Sequence, residues 1–85
     1  MKIYRTERFK KDYQKLPLEI RKAAKKQLAF LLSNPDHPSL NIKKMQDPRN
    51  IWEARVTESY RFTFQIEEDK YILRKIGTHD ILKKP

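Results

Sequence analysis

The run Ile51–Asp80, IWEARVTESYRFTFQIEEDKYILRKIGTHD, constrains this chain more than any other stretch. Tyr60, Phe62, Phe64 and Ile66 alternate with Arg61, Thr63 and Gln65. A period of two in aromatic and β-branched residues predicts a strand with one apolar and one polar face. Just upstream, Trp52, Ala54 and Val56 alternate with Glu53 and Arg55. Tyr71–Thr78, apolar apart from Arg74 and Lys75, supplies a third strand whose facing the pattern does not fix. Two polar turns set the register. With Thr57, Glu58 and Ser59 as the first turn, Val56 pairs with Tyr60, Trp52 with Phe64 and Arg55 with Arg61. With Glu68 and Asp69 at the tip of the second, Phe64 pairs with Leu73 and Thr63 with Arg74.

This register gathers the aromatic residues on one face and Glu53, Arg55, Arg61, Thr63 and Arg74 on the other. Directly opposed arginines repel, and sheets normally avoid the pairing. Two arrangements relieve the conflict. Either Glu53 neutralises the pair in a solvated salt-bridge cluster, or an anion binds between the two guanidinium groups.

The upstream half supplies a cover for the aromatic face. Lys2–Arg5 reads as a first strand. Thr6 is a candidate N-cap, with Glu7 in the first turn where the helix dipole favours a carboxylate. Phe9, Tyr13 and Leu16 recur at helical spacing. Pro17 ends that helix and suits the start of a second, whose stripe is Ile20, Ala23, Ala24, Leu28 and Leu31, with Arg21, Lys22, Lys25 and Lys26 opposite. Ser33-Asn34-Pro35 stops it. After the loop Asp36–Leu40, Asn41–Met45 reads as a short basic strand carrying Lys43 and Lys44. The expected architecture is α+β, a small antiparallel sheet with a two-helix hairpin on one face, in the order β-α-α-β-β-β.

At 85 residues the chain is one domain, residues 1–85, with a single core. It has no cysteine, so neither a disulfide framework nor a thiolate site is available. Its single glycine, Gly77, excludes a Gly-rich phosphate loop, and two histidines are too few for most metal centres. We therefore expect no metal and no small-molecule cofactor. No apolar run is long enough for a membrane span and no signal peptide is evident, so the expected location is cytoplasmic. The net charge is +9, and residues 1–44 hold 12 Lys/Arg against 4 Asp/Glu. A balance this basic points to a polyanionic partner, nucleic acid or an acidic protein.

Several strings in this order resemble the RelE/ParE toxins of bacterial toxin–antitoxin modules: HPSLNIKKM (His37–Met45), IWEARV (Ile51–Val56), SYRFTFQI (Ser59–Ile66) and LRKIGTHD (Leu73–Asp80). With the helical hairpin they span almost the whole chain. The resemblance implies a toxin restrained by a cognate antitoxin. In the RelE-like branch such proteins cut mRNA on the ribosome and inhibit translation; in the ParE-like branch they inhibit DNA gyrase without cleaving anything. A catalytically inactive RNA-binding relative is a third reading. Cleaving members place an arginine where Arg61 stands and a basic or histidine residue where His79 stands, and Asp36-His37-Pro38 resembles a histidine-bearing loop of the YafQ-like relatives. The chain departs from the pattern at Glu53, where RelE has a lysine, and after Asp80, where a frequent aromatic residue is missing.

For metal-independent RNA cleavage, the roles these residues suit follow from their chemistry. Arg61 is permanently charged and its planar fork can bridge two phosphate oxygens. His79 can donate a proton near neutral pH, and Glu53 or His37 can accept one. Lys43, Lys44, Arg55, Arg74 and His37 are candidate contacts to flanking RNA. Each also has a plainer reading: His79 as a turn residue, His37 as a loop anchor, and the lysines as solvated charges.

Overall fold

A computed structural model describes residues 1–85. The elements are β1 (Lys2–Arg5), α1 (Glu7–Gln14), α2 (Leu18–Ser33), β2 (Lys43–Lys44), β3 (Trp52–Arg55), β4 (Tyr60–Glu67) and β5 (Lys70–Thr78). Short 3-10 turns at Pro38–Leu40 and His79–Lys83 complete the chain. The helix boundaries follow local chemistry. Thr6 Oγ1 accepts from Phe9 N, capping α1, while Pro17 stands at the N-cap of α2 and Asn34 at its C-cap. No helix is long and apolar enough to cross a membrane.

The five strands form one sheet in the order β1-β5-β4-β3-β2. The expected α+β fold is present, with one strand more than the formula and one parallel pair. β1 returns to lie parallel beside β5, so the sheet is mixed. Every other pairing is antiparallel. Both helices cover one face. Phe9, Leu28 and Leu31 from the hairpin pack with Phe62, Phe64, Leu73 and Ile76 from the sheet, and Phe62 and Phe64 are completely or almost completely buried. Burying a large aromatic side chain stabilises a fold by about 1.5–3 kcal/mol, so this face supplies most of the fold's cohesion.

The β3–β4 register is the expected one, with Trp52 opposite Phe64 and Arg55 opposite Arg61. In β4–β5, Phe64 lies opposite Leu73 as expected, but Thr63 lies opposite Lys75 instead of Arg74. An irregularity between Thr63 and Phe64 inserts one extra residue into β5. Such a bulge lets Leu73 and Ile76 both reach the core although two residues separate them. Arg74 and Lys75 are left together on the opposite side. Thr6 braces the bulge, since its hydroxyl lies 2.8 Å from the Leu73 carbonyl and 3.2 Å from that of Arg74.

Part of the face that the alternation left open to solvent is covered, around Thr63. Past Gly77 the chain folds back across β4 and β5 and carries Pro85 into a buried position. Thr63 is 0% exposed, and its hydroxyl donates to the Pro85 carbonyl at 3.2 Å. Gly77 makes the return possible: a Cβ there would lie 2.9 Å from Ile81 Cγ2.

Candidate active site beneath the carboxyl-terminal segment

Arg61 is the second residue of β4, beside the three-residue turn, and its side chain folds back under that turn. Its Nη1 donates to three carbonyls, Thr57 at 2.6 Å, Tyr60 at 2.9 Å and Glu58 at 3.1 Å. The residue is only 8% exposed. These bonds satisfy donors without cancelling charge, because a carbonyl is a dipole and not an ion. Neither Arg55 nor Arg61 has a carboxylate within 4 Å; the chain's four ion pairs lie elsewhere. The salt-bridge cluster considered above is therefore not formed. Burial, followed by repulsion from Arg55, pulls the Arg61 pKa down, with Glu53 and Glu58 opposing more weakly. The group stays protonated all the same. An arriving anion relieves both the burial penalty and the Arg55 repulsion.

His79 reaches the same point from the other strand. Arg61 lies opposite Gly77 and Tyr60 opposite Thr78, so the residue after β5 emerges beside the turn. His79 Nε2 sits 3.4 Å from the Glu58 carbonyl oxygen, the atom that also accepts from Arg61. A carbonyl can only accept, so Nε2 carries the proton in this contact. Arg61 and His79 thus meet at one oxygen, a fixed cation beside an exposed protonated ring nitrogen. Glu53 is two register rows away, the next residue of β3 on the same face as Arg55, between Lys43 of β2 and Thr63 of β4. Its side chain makes no hydrogen bond and no ion pair.

No protein-family model matches the sequence, and no curated protein matches it either. Solved structures do. A copper-bound mutant toxin from Helicobacter pylori superposes with a TM-score of 0.78 at 19% identity, covering 94% of this chain and 96% of that one. YafQ from E. coli gives 0.78 at 16% identity, with 94% of each chain covered. RelE in the archaeal RelE–RelB complex from Pyrococcus horikoshii gives 0.73 at 15% identity, with 91% of this chain and 92% of that one covered. The fold is that of the RelE/ParE toxins.

On this RelE/ParE frame the other candidate residues divide. Arg55 is exposed directly across from Arg61 and belongs with the pair. Gln27, buried in α2, fixes that strand end by donating to the Arg55 carbonyl at 3.0 Å and to the Ser39 carbonyl at 3.2 Å. Lys43 and Lys44 are exposed on the edge strand β2, the Lys44 ammonium 5.9 Å from the centre of the Trp52 ring. His37 is not brought against Arg61 or His79. Its ring stacks on Phe30 with centroids 3.9 Å apart, and its Nδ1 accepts from Ser39 N at 3.1 Å. That is the geometry of a loop anchor. Arg74 is a bulge residue, held by Gln65 Oε1 at 3.0 Å and by the Pro85 carbonyl at 3.2 Å.

Three elements of the site escaped the sequence pattern. The turn carbonyls that grip Arg61 carry no side-chain signature. Gly77 stood out only as the sole glycine. Lys75 had a signal: two consecutive polar residues between Leu73 and Ile76 break the alternation, as a bulge does.

Proposed function

We propose that the protein is the toxin of a toxin–antitoxin pair and acts as a metal-independent endoribonuclease on mRNA engaged by the ribosome. The observation that carries this reading is the meeting of Arg61 and His79 at the Glu58 carbonyl. In the reaction the RNA 2′-hydroxyl attacks the adjacent phosphorus, the P–O5′ bond breaks, and a 2′,3′-cyclic phosphate is left behind. Arg61, with one nitrogen engaged by the turn, offers its remaining N–H groups to the phosphorane oxygens. Its preorganised charge needs no rearrangement as negative charge develops. His79, as the imidazolium, delivers a ring proton to the departing 5′-oxygen, and Glu53 takes the proton from the 2′-hydroxyl. Arg55 and the lysines of β2 hold flanking phosphates. The +9 charge suits both this substrate and an acidic antitoxin segment.

The test is single-turnover cleavage of mRNA on programmed ribosomes with a chelator selective for transition metals. Wild type is expected to cut and leave the cyclic phosphate, and the cognate antitoxin to abolish the cut. His79→Ala is expected to slow cleavage by about 100- to 10000-fold, the usual span for a lost proton-transfer group. Intact mRNA together with blocked gyrase supercoiling would replace this reading with the ParE-like one.

A further inference from the structure

The β5 bulge creates a second basic site, apart from the Arg61–His79 pair. Two hollows, of about 180 Å³ and about 360 Å³, share Arg8 and Lys75 in their walls. The smaller is completed by Thr6 and Arg74 and has no apolar residue in its lining. The larger is completed by Asp80, Ile81, Lys83 and Lys84. Together they form one groove with five cationic side chains and one carboxylate.

Partner chemistry distinguishes this groove from an ordinary solvated lysine face. Lys75, Lys83 and Lys84 have no carboxylate within 4 Å, Arg8 is paired to Asp12, and Arg74 donates to the main-chain oxygen of Pro85, the last residue of the sequence. Arg74 is fixed by the Gln65 amide oxygen and the Pro85 carbonyl, and Lys75 by the Lys84 carbonyl. Lys75 is thereby held in place on a neutral carbonyl with its charge uncancelled. The Lys75 ammonium pKa is pulled down by desolvation and then by the Arg8 and Arg74 charges, with Asp12 opposing and Lys84 adding to the repulsion. Held cations that repel one another are a site awaiting an anion.

We propose that the groove bounded by Arg8, Arg74, Lys75, Lys83 and Lys84 binds the phosphodiester backbone of RNA. The choice of RNA as the polyanion rests on the ribonuclease reading above. The groove itself is independent of the cleavage chemistry. A phosphate oxygen takes the place of the Lys84 carbonyl on Lys75, exchanging a dipole for a full charge, which strengthens that hydrogen bond.

Binding and its salt dependence test this directly. Each phosphate neutralised on a single strand contributes a slope of about −0.7 to log K against log salt concentration. The probes are a 12-nucleotide single-stranded RNA and mRNA-free ribosomes. The variants are Arg8→Ala/Lys75→Gln, the charge reversal Lys83→Glu/Lys84→Glu, and Lys22→Ala/Lys26→Ala on α2 as a control. All are checked for folding by circular dichroism. Each groove pair is expected to reduce the slope by about 0.7–1.4 for at least one probe, as one or two phosphate contacts are lost, and the control to leave it unchanged. A reduction with the oligonucleotide assigns the groove to mRNA, and one confined to ribosomes assigns it to ribosomal RNA. Slopes identical to wild type in both folded groove variants overturn the groove while leaving the cleavage reading intact. Failure of wild type to bind either probe overturns both.

Discussion

The two faces of the central sheet are built from the same strands and held by different physics. On the helix side, Phe62, Phe64, Leu73 and Ile76 meet Phe9, Leu28 and Leu31, and burial of apolar surface supplies the cohesion. On the other side, Arg61, Thr63, Arg74 and Lys75 are held by backbone carbonyls of the β3–β4 turn and of the carboxyl-terminal segment. The first face is close-packed and tolerates little change in volume. The second holds Arg61 and Lys75 on backbone carbonyls with no carboxylate within 4 Å of either. One sheet thus carries an apolar face and a basic face, kept apart by strict alternation in β4 and by the bulge in β5.

The largest effect falls on the helix side. Phe64→Ala is expected to destabilise the fold by about 3–5 kcal/mol, the range for large aromatic truncations in a core. Urea denaturation measures it. A loss below about 1 kcal/mol would mean that the two faces contribute alike. The next effect falls on the covered polar face. Gly77→Ala places a Cβ against Ile81 Cγ2, and overpacking of this kind typically costs about 1–3 kcal/mol. The strain should appear as faster amide exchange and proteolysis of residues 79–85, with the helix-side core still protected. Adding Ile81→Ala should restore docking; equal exposure of the segment in the single and double variants would remove Gly77 from its role.

The smallest effect lies in the turn before β3, outside both faces. Hydrogen bonds from Arg49 hold the Asp47 carboxyl down at about 2, against an ordinary 3.8. A depressed folded-state pKa contributes stability above the ordinary value and loses it as pH falls toward the depressed one. The contribution is thus expected to fade between about pH 4 and pH 2, and Asp47→Asn should flatten only that part of the profile. Arg49 is exposed and Asp47 only half-buried in a surface turn, so the change is small. A profile identical in the two proteins would show the pair to be idle.

The helix-side face was legible in the sequence because alternation and turn length fix the same answer twice. Val56–Tyr60 and Trp52–Phe64 follow from either signal, and a slip of one residue would have exposed Phe62 and Phe64. The Thr63–Arg74 pairing failed because a bulge adds one residue without changing composition, so counting from the Glu68–Asp69 tip runs out of step at Arg74. The parallel β1–β5 pair was hidden for another reason. Lys2–Arg5 has no turn connecting it to its partner, and only the packing of the intervening helices brings it there. The cover over Thr63 was hidden because Ile81 and Leu82 form part of a single short turn with no periodicity to read. Arg61 and His79 were legible as candidate residues through the family resemblance, whereas their meeting at the Glu58 carbonyl depends on that same unread turn.

The central claim is that the polar face acts through Arg61 while the apolar face holds the fold. Single-turnover ribosomal cleavage and urea stability, measured on the same preparations of wild type, Arg61→Ala and Arg61→Lys, test it most directly. The account predicts that Arg61→Ala loses about 100- to 1000-fold in rate, as for one preorganised charge contact. It loses only about 1–3 kcal/mol in stability, from the turn carbonyls left without their donor. Arg61→Lys recovers part of the rate, because the charge returns without the fork. A folded Arg61→Ala protein that cleaves at the wild-type rate would contradict it.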